Sequence, residues 1–293
     1  MKDKYIGEVI ATLNQKGGVA KTTTAQCLAR ELAKEYKVLL IDMDGQKTLT
    51  ELIDLYSHFD RDFLDKYLVE NSITKIFNRE SISPLDITSI INIDESEKIN
   101  ELHFIPSAGN AMNFIAEGAS GGKDLLLNKF LTKIKHEYDY IIIDSLPSVT
   151  TLFKNIMLSA DILLIPIETR TNSIAGANEF ANLINDIIGD YEKDYKHIYL
   201  LPTKFNKQRR DDNDVLAEIK TSFLRYIKST EFLGKINTSV LDPIPERSVF
   251  SNAQAVRYFL QDYIEYFDTG KRDILLLIEK MAKNIANTTS REG

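Results

Sequence analysis

Six short runs of aliphatic and β-branched residues recur along this chain, and they constrain its fold more than any other feature. They are residues 9–13, 38–41, 102–105, 140–143, 162–165 and 198–201. Each is nearly continuous rather than alternating, so as a strand it offers apolar side chains to both faces of a sheet. Such a sheet must be covered on both sides. Between the runs, 23–34 and 177–188 carry apolar residues at helical spacing. Strands alternating with helices imply right-handed crossovers and an α/β fold: a doubly wound, mostly parallel sheet flanked by helices.

No repeat, low-complexity tract or flexible linker divides the 293 residues, so a single domain over 1–293 is expected. Residues 51–100 are less regular, with a breaker at Pro84 and an acidic stretch at 94–97, and are expected as small helices on the rim. Ile274, Leu277, Ile278, Met281 and Ile285 make one apolar stripe of a core-facing helix, followed by a polar tail at 287–293.

Lys and Arg number 36 against 43 Asp and Glu, a net charge of −7 that argues against a general coat for nucleic acid or anionic lipid. It leaves room for a local basic face. The single cysteine, Cys27, excludes a disulfide framework and a cysteine-ligated metal cluster. With no leader-like apolar segment and no run near the ~20 residues that span a bilayer, a cytoplasmic protein is expected.

The chemistry starts where the first run enters Asn14-Gln15-Lys16-Gly17-Gly18-Val19-Ala20-Lys21-Thr22-Thr23 and a helix follows at once. Small residues there let backbone N–H groups wrap a phosphate, helped by the helix N-terminus. Lys21 is placed to reach the β- and γ-phosphates and Thr22 to ligate Mg²⁺, as in a P-loop NTPase. Lys16 adds a second cation at the loop entrance, where charge builds during transfer. Asp42 and Asp44 follow the second run, at the ligand edge of a doubly wound sheet. Asp44 is a candidate to orient attacking water, and Asp42 to bond the phosphate loop or the Mg²⁺ shell. Asp144 ends the fourth run, where a carboxylate behind Mg²⁺ belongs.

Together these segments resemble the ParA/MinD family of deviant Walker A ATPases. The family's K-G-G-x-x-K-[TS] loop corresponds to residues 16–22, its V-L-L-I-D-x-D-P-Q element to 38–46, and its Y-D-x-I-I-I-D-x-P-P-S element to 138–148. Gly45, Leu146 and Ala20 depart from the family's Pro, Pro and Gly, and none of these changes removes a catalytic group. The resemblance covers roughly residues 6–260. It implies ATP and Mg²⁺ as ligands, with Lys16, Lys21 and Asp44 catalytic and Gly17, Gly18, Val19, Ala20, Thr22 and Thr23 around the phosphates. It also implies a dimer formed on ATP, in which Lys16 reaches the partner's phosphate. Thr203, Lys204, Asn206 and Pro245 fall where similar proteins cradle adenine, and Thr22, Asp42 and Asp144 are expected at the metal.

Within the family the chain is most similar to the DNA-partition branch. It lacks the cysteines of iron–sulfur relatives and the C-terminal tyrosine cluster of tyrosine autokinases. The resemblance then implies nucleoid association through non-specific DNA binding, a ParB-type adaptor that stimulates hydrolysis, and no membrane contact. Lys204, Lys207, Arg209, Arg210 and Arg247 are the candidate DNA contacts, although Asp211, Asp212 and Asp214 follow closely. A MinD-like, membrane-associated or cargo-positioning ATPase is the alternative.

Overall fold

All six apolar runs are strands of one eight-stranded sheet. The strands are β1 (Glu8–Thr12), β2 (Lys37–Asp42), β3 (Leu85–Asp86), β4 (Glu101–Ile105), β5 (Tyr140–Asp144), β6 (Ile162–Glu168), β7 (His197–Thr203) and β8 (Thr238–Val240). Their order is β3-β4-β2-β5-β1-β6-β7-β8, and every pairing is parallel except the short β3 against β4. The computed structural model describes residues 7–53, 55, 59–88, 99–107, 109, 124–170, 173–255 and 257–289. The acidic stretch 94–97 lies outside them.

Helices α1 (Lys21–Leu32), α2 (Thr48–Leu52), α3 (Arg61–Asn71), α4 (Thr74–Phe77), α5 (Leu126–Ile134) and α6 (Thr151–Ser159) belong to the first half. Helices α7 (Ser173–Tyr191), α8 (Arg210–Glu218), α9 (Leu224–Ser229), α10 (Ser248–Ala255), α11 (Leu260–Phe267) and α12 (Arg272–Thr289) belong to the second. The period of two along each strand divides the interior into two layers. Ile141 and Ile143 of β5 pack on one face with Phe153 and Phe180, while Tyr140 and Ile142 pack on the other with Leu28 and Ile278. Each buried side chain of this kind contributes about 1.5–3 kcal/mol, so both faces of the sheet are essential to stability.

The buried stripe on α12 is Ile274, Ile278, Met281 and Ile285, with Leu277 half-buried beside it. The helix continues through Thr289. Thr289 Oγ1 meets the Tyr140 hydroxyl at 2.9 Å, and Thr288 meets the Tyr199 hydroxyl, so the polar stretch expected from residue 287 begins as docked helix. Helix α1 is tied to α11 by the buried Arg30–Asp262 ion pair at 3.0 Å and by Gln261, which donates to the Cys27 carbonyl at 2.8 Å.

The central β1 lies between β5 and β6, and the chain turns outward in opposite directions from it. A ligand crevice forms where strand order reverses, beyond the C-terminal strand ends. Register brings Thr12 opposite Asp144, and Asp144 opposite Asp42, at that edge.

Candidate functional site

The phosphate loop is pinned before it turns. Asn14, buried, donates from Nδ2 to the Pro166 carbonyl at 2.7 Å and accepts from the Lys16 N–H at 2.9 Å. Gly18 and Ala20 then take left-handed backbone angles, φ 73° and 71°. Between them the Val19 carbonyl accepts from the Thr203 hydroxyl at 3.2 Å. Alternating handedness of this kind turns successive N–H groups toward one point. Ala20 bears a strain of about 1 kcal/mol that glycine would avoid. Helix α1 starts at Lys21 with no side-chain cap and no acidic residue in its first turn. Its unpaired N–H groups and positive dipole end therefore face the crevice, available to an anion.

Lys21 is 7% exposed, and its ammonium donates to the Lys16 carbonyl at 3.1 Å, curling over the loop. Burial draws its pKa below the ordinary lysine value, while Asp144 and Asp44 pull the other way. The three aspartates divide the work. Asp42 is fully buried and fully engaged: Oδ1 accepts from the Asp44 N–H at 2.9 Å, and Oδ2 accepts from the Thr50 N–H at 2.9 Å and its hydroxyl at 2.7 Å. It thereby fixes the backbone at Asp44 and the start of α2. Burial pushes its carboxyl up to about 6. Asp44 borders the cavity, and one of its oxygens accepts from the Gln46 N–H at 3.0 Å.

Asp144 differs from both. It is fully buried, and neither carboxylate oxygen has a hydrogen-bond partner among the described residues. Burial, then the neighbouring Asp42, push its pKa well up, against a weaker pull from Thr22 and Lys21. A buried carboxylate left without partners is the donor a cation needs. Among the described residues no group of three or more His, Cys, Asp or Glu forms a ready cage. Mg²⁺ takes one or two protein oxygens and completes its shell with phosphate and water. Thr22 and Asp144 fit this ion; the oxygens of Asp42 are already committed to the chain.

A cavity of about 610 Å³ opens from the loop. Gly17, Gly18, Ala20, Lys21, Thr22 and Thr23 line it, with Thr203 and Lys204 against the loop and Pro245 beyond them in the chain. The segments carrying Thr203 and Pro245 are stitched together, with Phe205 N–H donating to the Ile244 carbonyl at 3.1 Å and Glu246 N–H to the Phe205 carbonyl at 2.9 Å. Asn206 is not on the wall. Its N–H donates to Asp212 at 2.8 Å, and its side chain accepts from Gln208 N–H at 3.0 Å, facing the outer loop instead. More of the lining comes from residues that the sequence did not mark as site residues: Phe250, Ser251 and Gln254 of α10, and Ile278 and Met281 of α12. The α12 pair reads in sequence as ordinary core stripe, which it also is.

At the loop entrance Lys16 Nζ donates to Glu168 Oε2 at 2.8 Å. Glu168 ends β6 and was missed, although it obeys the rule that marked Asp44: a carboxylate at the C-terminal end of an inner strand. The candidate DNA contacts are spread and largely neutralised, with Lys204 and Arg247 lining the cavity itself. Arg209 bonds Glu246 at 2.8 Å, Arg210 lies 3.7 Å from Asp214, Arg247 lies 4.0 Å from Asp273, and Lys204 lies 3.5 Å from Glu168. Lys207 is exposed beside them. Arg170 joins this network through Glu246 at 2.6 Å and the buried Asp212 at 3.5 Å.

Known proteins share this architecture. Residues 7–197 match the family model described as an AAA domain. The chromosome partitioning protein ParA of Myxococcus xanthus is 27% identical over 224 residues, which cover 76% of this chain and 74% of that protein. The sporulation initiation inhibitor protein Soj of Bacillus subtilis is 28% identical over 223 residues, 74% of this chain and 81% of Soj. A Borrelia burgdorferi B31 protein assigned to plasmid partition, solved with AMPPNP, is 26% identical with a TM-score of 0.66, covering 94% of this chain and 99% of its own.

Proposed function

This chain belongs to the AAA domain family as a ParA-type P-loop ATPase, and from that premise we propose that it is a partition ATPase whose nucleotide cycle moves DNA. The observation that carries the reading is the loop itself. An uncapped helix N-terminus and a buried Lys21 border a cavity large enough for a nucleoside triphosphate, and the unpartnered Asp144 lies buried close to Lys21.

In this reading the loop N–H groups and Lys21 hold the β- and γ-phosphates of ATP, and the cavity toward Pro245 holds the base. Mg²⁺, held by Thr22 with Asp144 behind it, would offset charge on the phosphates. Asp44 orients the attacking water, its backbone fixed by Asp42. Lys16, at the exposed rim, reaches the phosphates of a second copy, so ATP joins two subunits. Lys207, Arg209, Arg210 and Arg247 then meet DNA phosphates from one face, and a ParB-type adaptor stimulates hydrolysis and release. Such a cycle is a slow switch rather than a metabolic turnover.

Co-sedimentation with plasmid DNA and with anionic liposomes, each with and without ATP, tests this. DNA carried down only with ATP supports partition. Liposomes carried down instead would move the protein to the MinD-like alternative. The ion pairs on the outer arginines favour a cargo-positioning alternative, in which an ATP-dependent dimer forms and neither DNA nor lipid is retained. Asp44→Ala is expected to keep ATP binding and the dimer while turnover stops, and unimpaired hydrolysis would remove Asp44 from its role. Lys16→Ala is expected to bind ATP yet remain monomeric by light scattering.

A further inference from the structure

Glu168 lies within reach of three cations beside the phosphate loop. Its Oε2 accepts from Lys16 Nζ at 2.8 Å, while its Oε1 lies 3.5 Å from Lys204 Nζ and 3.8 Å from Arg170 Nε. Its side chain is only 15% exposed, so these contacts are screened less than a surface pair. Arg170 does not need it, because Glu246 at 2.6 Å and Asp212 at 3.5 Å already serve that guanidinium. Its closest contacts are the two lysines.

Lys204 is aimed at the loop by its backbone. Its φ of 54° is left-handed, and its Nζ stands 4.0 Å from where a side chain on Gly18 would begin. Gly18 is one of the residues whose N–H groups form the phosphate cradle. An ammonium at that distance from the cradle is in range of a bound phosphate oxygen, yet it faces a carboxylate. Burial works against the charge on Glu168, but Lys16 and Lys204 together hold its carboxyl below the ordinary range, so it is an anion at neutral pH.

We propose that Glu168 is an internal counter-anion of the phosphate loop, holding Lys16 and Lys204 where a polyphosphate must take them from it. One carboxylate carries a single charge, whereas a triphosphate brings several charges and more acceptor oxygens, so the lysines transfer as the phosphate chain lengthens. Glu168 is thus a positioning residue: it acts through the lysines, makes Lys204 a third phosphate-loop lysine, and sets the threshold for polyphosphate binding. The inference rests on the ATPase reading above and deepens it.

The test is calorimetric titration of the full chain with AMP, ADP and ATP in Mg²⁺, comparing wild type with Glu168→Gln. Removing the competing charge is expected to tighten ATP binding roughly three- to tenfold, the scale of one or two partly exposed ion pairs. ADP should gain less and AMP nothing. Adding Lys204→Met to the Glu168→Gln protein should take back part of the gain. Glu168→Asp, which withdraws the carboxylate by one methylene, should gain less than Glu168→Gln and serves if the amide lowers the melting temperature. ATP binding that is unchanged or weaker in both variants overturns the proposal, as does an equal gain for AMP. Wild type that binds no ATP would instead overturn the ATPase reading, which separates the two failures.

Discussion

The two charged regions of this molecule are built on opposite plans. At the inner end of the phosphate loop two polar features are left without partners: both oxygens of the buried Asp144 are unbonded, and α1 opens without a cap. On the outer loops after β7, nearly every candidate cation meets a carboxylate of the same chain, Arg209 and Arg170 sharing Glu246 most closely. An unpartnered buried charge is costly, so it persists where something else completes it. A paired surface charge costs little and by itself signals nothing. The contrast teaches that charge without a partner marks a built site better than abundance of charge does.

That contrast can be broken. Lys21→Ala, which takes the central cation from the cradle, is expected to weaken ATP binding by at least ~100-fold in calorimetry, since several charge-assisted hydrogen bonds are lost together. Near-normal affinity would mean that the cradle N–H groups suffice alone.

Asp144 gives the next effect, on stability. Burial holds Asp42 at about 6 and raises Asp144 further above its ordinary value. A folded-state pKa above the unfolded value means that the folded chain holds its proton more tightly. This contribution is present below about pH 4 and is lost as pH rises through 6 and beyond. In chelator, the melting temperature of wild type should therefore fall between pH 6 and pH 8. Asp144→Asn should flatten that fall, melting roughly 2–4 °C higher than wild type at pH 8, and should lose Mg²⁺-dependent turnover. Parallel pH profiles for the two proteins would show that Asp144 carries no unrelieved charge.

On the outer loops the same logic predicts a gain. Glu246→Gln releases Arg170 and Arg209 from their shared acid, so ATP-dependent retention of DNA should rise about twofold at low salt. If retention falls, the ion pairs build the face rather than mask it. A separate effect, on stability alone, belongs to the loop backbone. Ala20→Gly relieves the left-handed strain and should stabilise the chain by about 1 kcal/mol in denaturant titration.

Most of the sheet was legible because buried parallel strands must be apolar on both faces, and six such runs stand out. The two strands that escaped, Leu85–Asp86 and Thr238–Val240, are edge elements too short for any pattern. The phosphate loop was legible because its chemistry is local: consecutive residues supply the cradle. Gln254 and Met281 reach the cavity from distant elements, and Glu168 meets Lys16 at the loop entrance from another. Only tertiary structure tells a core methionine from one that also lines a ligand. Asn206 shows the converse, a residue adjacent in sequence to cavity wall whose bonds turn it outward.

The makeup of the cavity wall has a consequence for synthesis. The loop over residues 16–23 is made early in the chain, whereas Ile278 and Met281 of α12 line the same cavity from its last helix. A nascent chain that has emerged only as far as Val240 owns every described strand and the whole loop, yet lacks that part of the cavity wall. Ribosome-bound intermediates should therefore capture nucleotide poorly.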